Sequence, residues 1–166
     1  MDAYEKKVKP TYLKDVATWR EDSRFENSAA GRLWTVHNNF RGEALDILRV
    51  KKKPSKRAFD DLLKDIHKHH KGEDTSTFPK MKKKFEIDEK KMKILEDQHV
   101  EMLRLEEQVR KLFDEVEDDD GLLWELKQTI DALFGHFMSH LALEEQTLMP
   151  HLLSVKSFAD MKTWPI

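Results

Sequence analysis

Apolar side chains recur along most of the chain at helical intervals of three and four, and no alternating period of two is sustained. From Ser28, a candidate N-cap, Leu33, His37, Phe40, Ala44 and Ile47 share one face. Lys51-Lys52-Lys53-Pro54 should end that helix, because cations suit a helix C-terminus and proline cannot continue one. Ser55 then caps a second segment with the stripe Phe59, Leu62, Ile66, His69 and Glu73, which Pro79 should end or kink. A third begins at Asp88-Glu89 and turns Met92, Leu95, His99, Met102, Leu105/Glu106, Val109 and Phe113 inward. The acidic run Asp118-Asp119-Asp120-Gly121 reads as a turn, with Asp120 as the cap of a fourth segment carrying Leu126, Ile130, Leu133, Phe137, His140, Glu144 and Thr147 to Pro150. Four amphipathic segments near 28–51, 55–84, 88–117 and 121–153, joined by short connections, predict an all-α chain folded as an antiparallel up-down four-helix bundle. Residues 1–27 form a short N-terminal arm with Pro10, Tyr12, Trp19 and Phe25, the bundle spans 28–153, and 154–166 are a C-terminal tail.

Composition narrows the function classes. The 30 basic and 32 acidic side chains nearly cancel, which excludes the basic excess of a nucleic-acid binder. No apolar run approaches the ~18 residues of a membrane span, and residues 1–15 lack the apolar region of a secretory signal, so the expectation is a soluble, cytoplasmic protein with no membrane partner. Zero cysteines exclude thiolate chemistry, so His, Asp and Glu must hold any metal.

The stripes carry a repeated pair. His69-x-x-x-Glu73 and His140-x-x-x-Glu144 each have an acid directly after the Glu and an apolar-Pro pair nine and ten residues after the His, Phe78-Pro79 and Met149-Pro150. At i and i+4 an imidazole and a carboxylate share one helix face and can converge on one ion. One such pair is commonly a solvated surface pair. Here both lie on apolar stripes, where an ionised carboxylate needs a cation, and His37 and His99 hold the same stripe on the other two helices. With turns near residues 53, 86 and 119, His37 and His69 each stand 16 residues from the first turn, and Glu73 and His99 each 13 from the second. His99 and His140 stand 20 and 21 from the third, so all six side chains fall at one level of an up-down bundle.

In this arrangement the chain resembles the hemerythrin-like family, with its HHE cation-binding motif, over about residues 30–153. The carriers are Trp34…His37-Asn38-Asn39-Phe40, His69-x-x-x-Glu73 with Phe78-Pro79, His99 within Asp97-Gln98-His99-Val100-Glu101, and His140-x-x-x-Glu144-Glu145 with Met149-Pro150. The resemblance implies two non-haem iron ions, oxo- or hydroxo-bridged, in the bundle core. His37, His69, His99 and His140 become terminal ligands, and Glu73 and Glu144 the bridging carboxylates.

Oxygen-carrying members have a second histidine one turn from the third-helix ligand, whereas this chain has Leu95 and Leu103 there. The seventh ligand is then His70, as the extra ligand of iron-sensing relatives adjoins the equivalent histidine, or His136, one turn before His140. Each also reads as a supporting or partly exposed histidine. Glu96 with His99 makes a single Glu-x-x-His and reads as solvated, and His67 and His151 read as surface residues. Zinc or manganese would also suit an imidazole and carboxylate donor set. Phe40, Ile66, Met102, Leu133 and Phe137 would form a dry wall that favours a small neutral ligand. The functional expectation is a di-iron protein that binds and reacts with dioxygen or peroxide, with turnover favoured over reversible carriage. The alternative is an iron or oxygen sensor or storage module that signals through metal-dependent folding.

Overall fold

A computed structural model describes residues 10–116 and 120–164. The helices are α1 (Pro10–Glu21), α2 (Ala29–Leu48), α3 (Lys56–Gly72), α4 (Phe78–Lys84), α5 (Glu89–Glu115) and α6 (Asp120–Leu152), with no strand among the described residues. Short 3₁₀ turns lie at Phe25–Asn27 and Asp160–Thr163. The regular structure of the described residues is therefore all helical. α6 is the central element: α5, α2 and α1 pack on it, and α3 packs on α2. No described helix is long and apolar enough to cross a membrane.

Most element ends have an identifiable cause. The Ser55 hydroxyl accepts from the Ala58 N–H at 3.2 Å, and the Asp88 carboxylate accepts from Lys90 and Lys91, each satisfying backbone donors that the first helical turn leaves open. Ser28 precedes α2 as expected but does not cap it by its side chain. Its hydroxyl donates back to the Phe25 carbonyl, while the Ala29 N–H donates to the Val155 carbonyl. α2 stops at Leu48, short of the lysine run expected to end it. The sequence-predicted turn at 118–119 lies outside the described residues.

Pro79 does not end the second helical path. A five-residue π-helical turn, Glu73–Thr77, joins α3 to α4, and the path runs on to Lys84. The Phe78 N–H bonds the Glu73 carbonyl, five residues back. This wider turn just ahead of the proline accommodates the residue that lacks an N–H and crowds the preceding turn.

The arm contains a helix that the stripes of the four main segments did not reveal. Tyr12, Val16 and Trp19 recur at i, i+4 and i+7 of α1, and Tyr12 and Trp19 are buried. Gly31 permits the turn that follows α1 to lie close to α2, since a Cβ there would stand 2.3 Å from the Phe25 carbonyl oxygen. In the C-terminal segment Trp164 packs on Phe85, with ring centroids 5.8 Å apart.

The buried apolar residues form two clusters rather than one. The first gathers Phe40, Ile66, Met102, Leu133 and Phe137, the residues expected to wall a site, with Phe59, Val109 and Ile130 beyond them. The second gathers Leu33, Phe78, Leu95 and Leu148 with Tyr12 and Trp19 of the arm. Burying either set is worth about 1.5–3 kcal/mol per large side chain, so both ends of the molecule hold the helices in register. His37, Glu73, His99, His140 and Glu144 belong to neither cluster and are all buried.

Candidate metal centre

Each helix delivers its ligating atoms by periodicity. His37 comes from α2, His69 and His70 from the end of α3, Glu73 from the π-helical turn, His99 from α5, and His140 and Glu144 from successive turns of α6. Their donor atoms converge in two groups, His37, His69, Glu73 and Glu144, and His70, Glu73, His99 and His140. Within each group one nitrogen or oxygen per residue lies within 4.8 Å of the others, and Glu73 belongs to both. The wide turn bears on this directly. It begins at Glu73 itself, and single π-helical turns within helices are frequent at functional sites.

The carboxylates lie between the groups. Glu144 Oε2 is 3.6 Å from His37 Nε2 and 3.6 Å from His140 Nε2. Glu73 Oε1 is 2.8 Å from His69 Nε2, and its Oε2 is 3.9 Å from His99 Nε2. Neither oxygen of Glu73 and neither of Glu144 has a hydrogen-bond partner of acceptable geometry, and His70 Nε2 has none either.

The imidazoles are oriented from behind. His37 Nδ1 lies 2.8 Å from Glu145 Oε1, His99 Nδ1 3.0 Å from Asp74 Oδ1, and His140 Nδ1 3.2 Å from Gln98 Oε1. A carboxylate or amide oxygen only accepts, so each Nδ1 carries the proton and each Nε2 presents a lone pair. The Nε2 atoms of His99 and His140 nevertheless face one another at 3.1 Å. Two lone pairs at that distance repel. His37 Nε2 stands 3.0 Å from His69 Nε2 in the other group.

Charge follows the same logic. Burial pushes Glu73 up to about 8 and, with the Glu73 charge beside it, holds Glu144 well above the usual carboxylate range. Burial lowers His37 to about 4 and also lowers His69, His70, His99 and His140. Without a cation the carboxylates retain protons and the imidazoles shed them. Facing lone pairs, orphaned buried oxygens and a thiolate-free donor set all fit positive charge between these side chains.

Glu145 behaves oppositely. Burial would raise it, but the His37 ring N–H, the Arg41 guanidinium and the Tyr12 hydroxyl together hold it below the ordinary value. Arg41 Nη2 stands 2.8 Å from Glu145 Oε1 and donates to the Tyr12 oxygen at 3.0 Å, while the Tyr12 hydroxyl donates to Glu145 Oε2. A chain of four buried polar groups thus runs from the arm to His37. No periodicity or motif marks Tyr12, Arg41 or Gln98 as part of a site, and Asp74 and Glu145 stand out in the sequence only as the acids after Glu73 and Glu144. The doubled acid in both repeats is a usable signal: Glu73-Asp74 and Glu144-Glu145 each place one carboxylate among the donors and the next behind a histidine.

Of the two candidates for a seventh donor, the structure brings His70 into the cluster, stacked on His99 with centroids 4.0 Å apart, and leaves His136 outside both groups. Leu103 is 54% exposed, so its position faces away from the site, whereas Leu95 is buried in the second apolar cluster. Glu96 pairs with Lys82 near the surface. His67 is not an idle surface residue: its Nε2 lies 2.6 Å from the buried carboxylate of Glu106, one of the inward positions of α5.

No match to a curated protein or to a solved structure reaches significance. The family model of the hemerythrin HHE cation binding domain matches residues 28–152, which takes in every residue of both donor groups. That domain binds metal cations, typically iron, and this structure gathers buried imidazoles and carboxylates that could hold them. With three quarters of its length matched, the chain belongs to the hemerythrin HHE cation-binding domain family.

Proposed function

We propose that the chain is a non-haem di-iron protein that binds and reacts with dioxygen or peroxide in the core of an antiparallel up-down four-helix bundle. The observation that carries this reading is the sharing of Glu73 by two four-residue donor groups, with Glu144 Oε2 equidistant from a histidine of each. Two carboxylates so placed would bridge two cations and offset their mutual repulsion. His37 and His69 would hold one ion, and His70, His99 and His140 the other. A ferrous pair supplies two electrons to a bound oxidant. Zinc or manganese would satisfy the same donors without that chemistry being assured.

The chain's own residues divide the remaining work. Glu145, Asp74 and Gln98 keep the Nε2 atoms of their histidines aimed inward by holding the proton on Nδ1. Phe40, Ile66 and Phe137 exclude bulk water from one side. The donor group with fewer imidazoles is the reactive one in this reading, since it leaves more coordination positions free. A cytoplasmic setting belongs to the proposal too, because that reducing compartment maintains ferrous iron.

Aerobic and anaerobic iron loading test the reading together. Close to two iron ions per chain, and new near-ultraviolet charge-transfer absorption when the ferrous protein meets air, are the expected result. Two bound ions with no oxygen consumption would instead favour storage or sensing. That second reading has one observation in its favour, the buried link from Tyr12 of the arm through Glu145 to His37, by which loss of the ion would loosen α1. Limited proteolysis near residues 10–21, faster in the chelated protein than in the loaded one, is its expected signature.

A further inference from the structure

A cleft of about 600 Å³ borders α2, α3 and the C-terminal segment. Two of its lining residues, the largely buried His69 and Glu73, belong to the donor group with fewer imidazoles. Val36 and Phe40 of α2 and Phe158 and Met161 of the C-terminal segment give it apolar walls. The exposed cations Arg32, Lys68 and Lys162 also line it, against the exposed carboxylate of Asp65 and the buried one of Glu73.

Dioxygen needs neither this volume nor these charges. The volume lies within the range of clefts that take small organic ligands, and the lining combines apolar wall with a few polar groups as such sites do. Three exposed cations outnumber the two acids of the lining, Asp65 and Glu73, and favour an anion, while the apolar side chains of Val36, Phe40, Phe158 and Met161 favour one with a hydrocarbon body. We infer that the cleft binds an organic monoanion, a carboxylate on an apolar body. The anionic group sits among Arg32, Lys68 and Lys162, and the hydrocarbon end lies over the His69–Glu73 edge of the site. The inference rests on the di-metal reading for its functional meaning, because it makes this ligand the second reactant or the modulator of the reactive half.

Calorimetric titration of the full, metal-loaded chain with octanoate, octanol, octylammonium and butyrate tests it. Octanoate should bind saturably at one per chain and more tightly than octanol or octylammonium. Butyrate should be weaker, by about fourfold for each methylene removed. The double variant Lys68→Glu with Lys162→Glu should lose about tenfold or more in octanoate affinity. Val36→Trp, at a half-exposed position that tolerates bulk, should abolish binding. Octanoate should also shift the visible absorption of the loaded protein.

Octanol binding as tightly as octanoate, or parental octanoate affinity in both variants, would overturn the inference. Iron content measured on the same samples separates the two failures. Two ions per chain without selective octanoate binding removes the cleft's role and keeps the metal centre. Selective octanoate binding by a chain that retains no metal removes the metal centre and keeps the cleft.

Discussion

The two donor groups share a carboxylate but differ in what stands behind them. The His37–His69 group has two imidazoles, a buried ionised network of Glu145, Arg41 and Tyr12 at its back, and a cleft at its front. The His70–His99–His140 group has three imidazoles packed ring against ring, and its outer supports, Asp74 and Gln98, are a half-exposed carboxylate and a neutral amide. The first group is open and electrostatically tuned, while the second is crowded and better filled with donors. In the proposed two-ion site this difference would divide the labour, one half anchoring and the other exchanging ligands.

Breaking the shared element should have the largest effect. Glu73→Ala is expected to lower metal content below one ion per chain, as measured by atomic emission, because both groups lose a donor. Stability should fall with it, since free metal at a hundredfold over its Kd contributes about 2.7 kcal/mol per ion. Retention of two ions would show that the groups do not depend on one another.

The next test separates the halves. Glu145→Gln should weaken the more labile ion by about 10–100-fold, while Tyr12→Phe should do so by less. Asp74→Asn should have a smaller effect, because a half-exposed carboxylate is partly screened by water. Competition with a chromophoric chelator reads each constant, and equal losses from Glu145→Gln and Asp74→Asn would erase the asymmetry.

His70 and His136 give a qualitative contrast. His70→Ala should change the absorption spectrum of the iron-loaded protein, whereas His136→Ala should alter rates and leave the spectrum nearly intact. A spectral change in His136→Ala alone would exchange their roles.

The smallest expected effect is a pH slope in the metal-free protein. Glu73 is raised from 4.5 to about 8, so between those values the folded state holds a proton that the unfolded chain releases, and stability falls as pH rises. His37 is lowered from 6.5 to about 4, so across that window the unfolded chain holds the extra proton and stability rises with pH. His69, His70, His99 and His140 are lowered from the same 6.5 and act with His37, and Glu144 acts with Glu73, so the two kinds of group oppose one another up to pH 6.5 and above it only the carboxylate slope remains. The urea midpoint of the chelated protein should therefore decline from pH 6.5 to 8. In the loaded protein the cation stands where the proton was, and that decline should vanish.

The sequence by itself determined the helical paths and their inward faces. Hydrophobic burial acts on a period that is legible one residue at a time, and His37, Glu73, His99, His140 and Glu144 lie on those faces as buried residues. It also determined the single level at which they meet, because residue counts from each turn measure height along a helix. Tertiary structure alone decided three things. It chose His70 over His136 as a member of the cluster, since each stands one helical turn from an inward residue, Ile66 or His140, and only their placement in space stacks His70 on His99 and leaves His136 outside. Folding α1 back onto α6 made Tyr12 part of the site, a contact 133 residues apart that no local pattern encodes. And it moved the carboxyl pKa values of Glu144 and Glu145, neighbours in the chain, in opposite directions, up for Glu144 and down for Glu145, because ionisation depends on which groups surround a carboxylate in space.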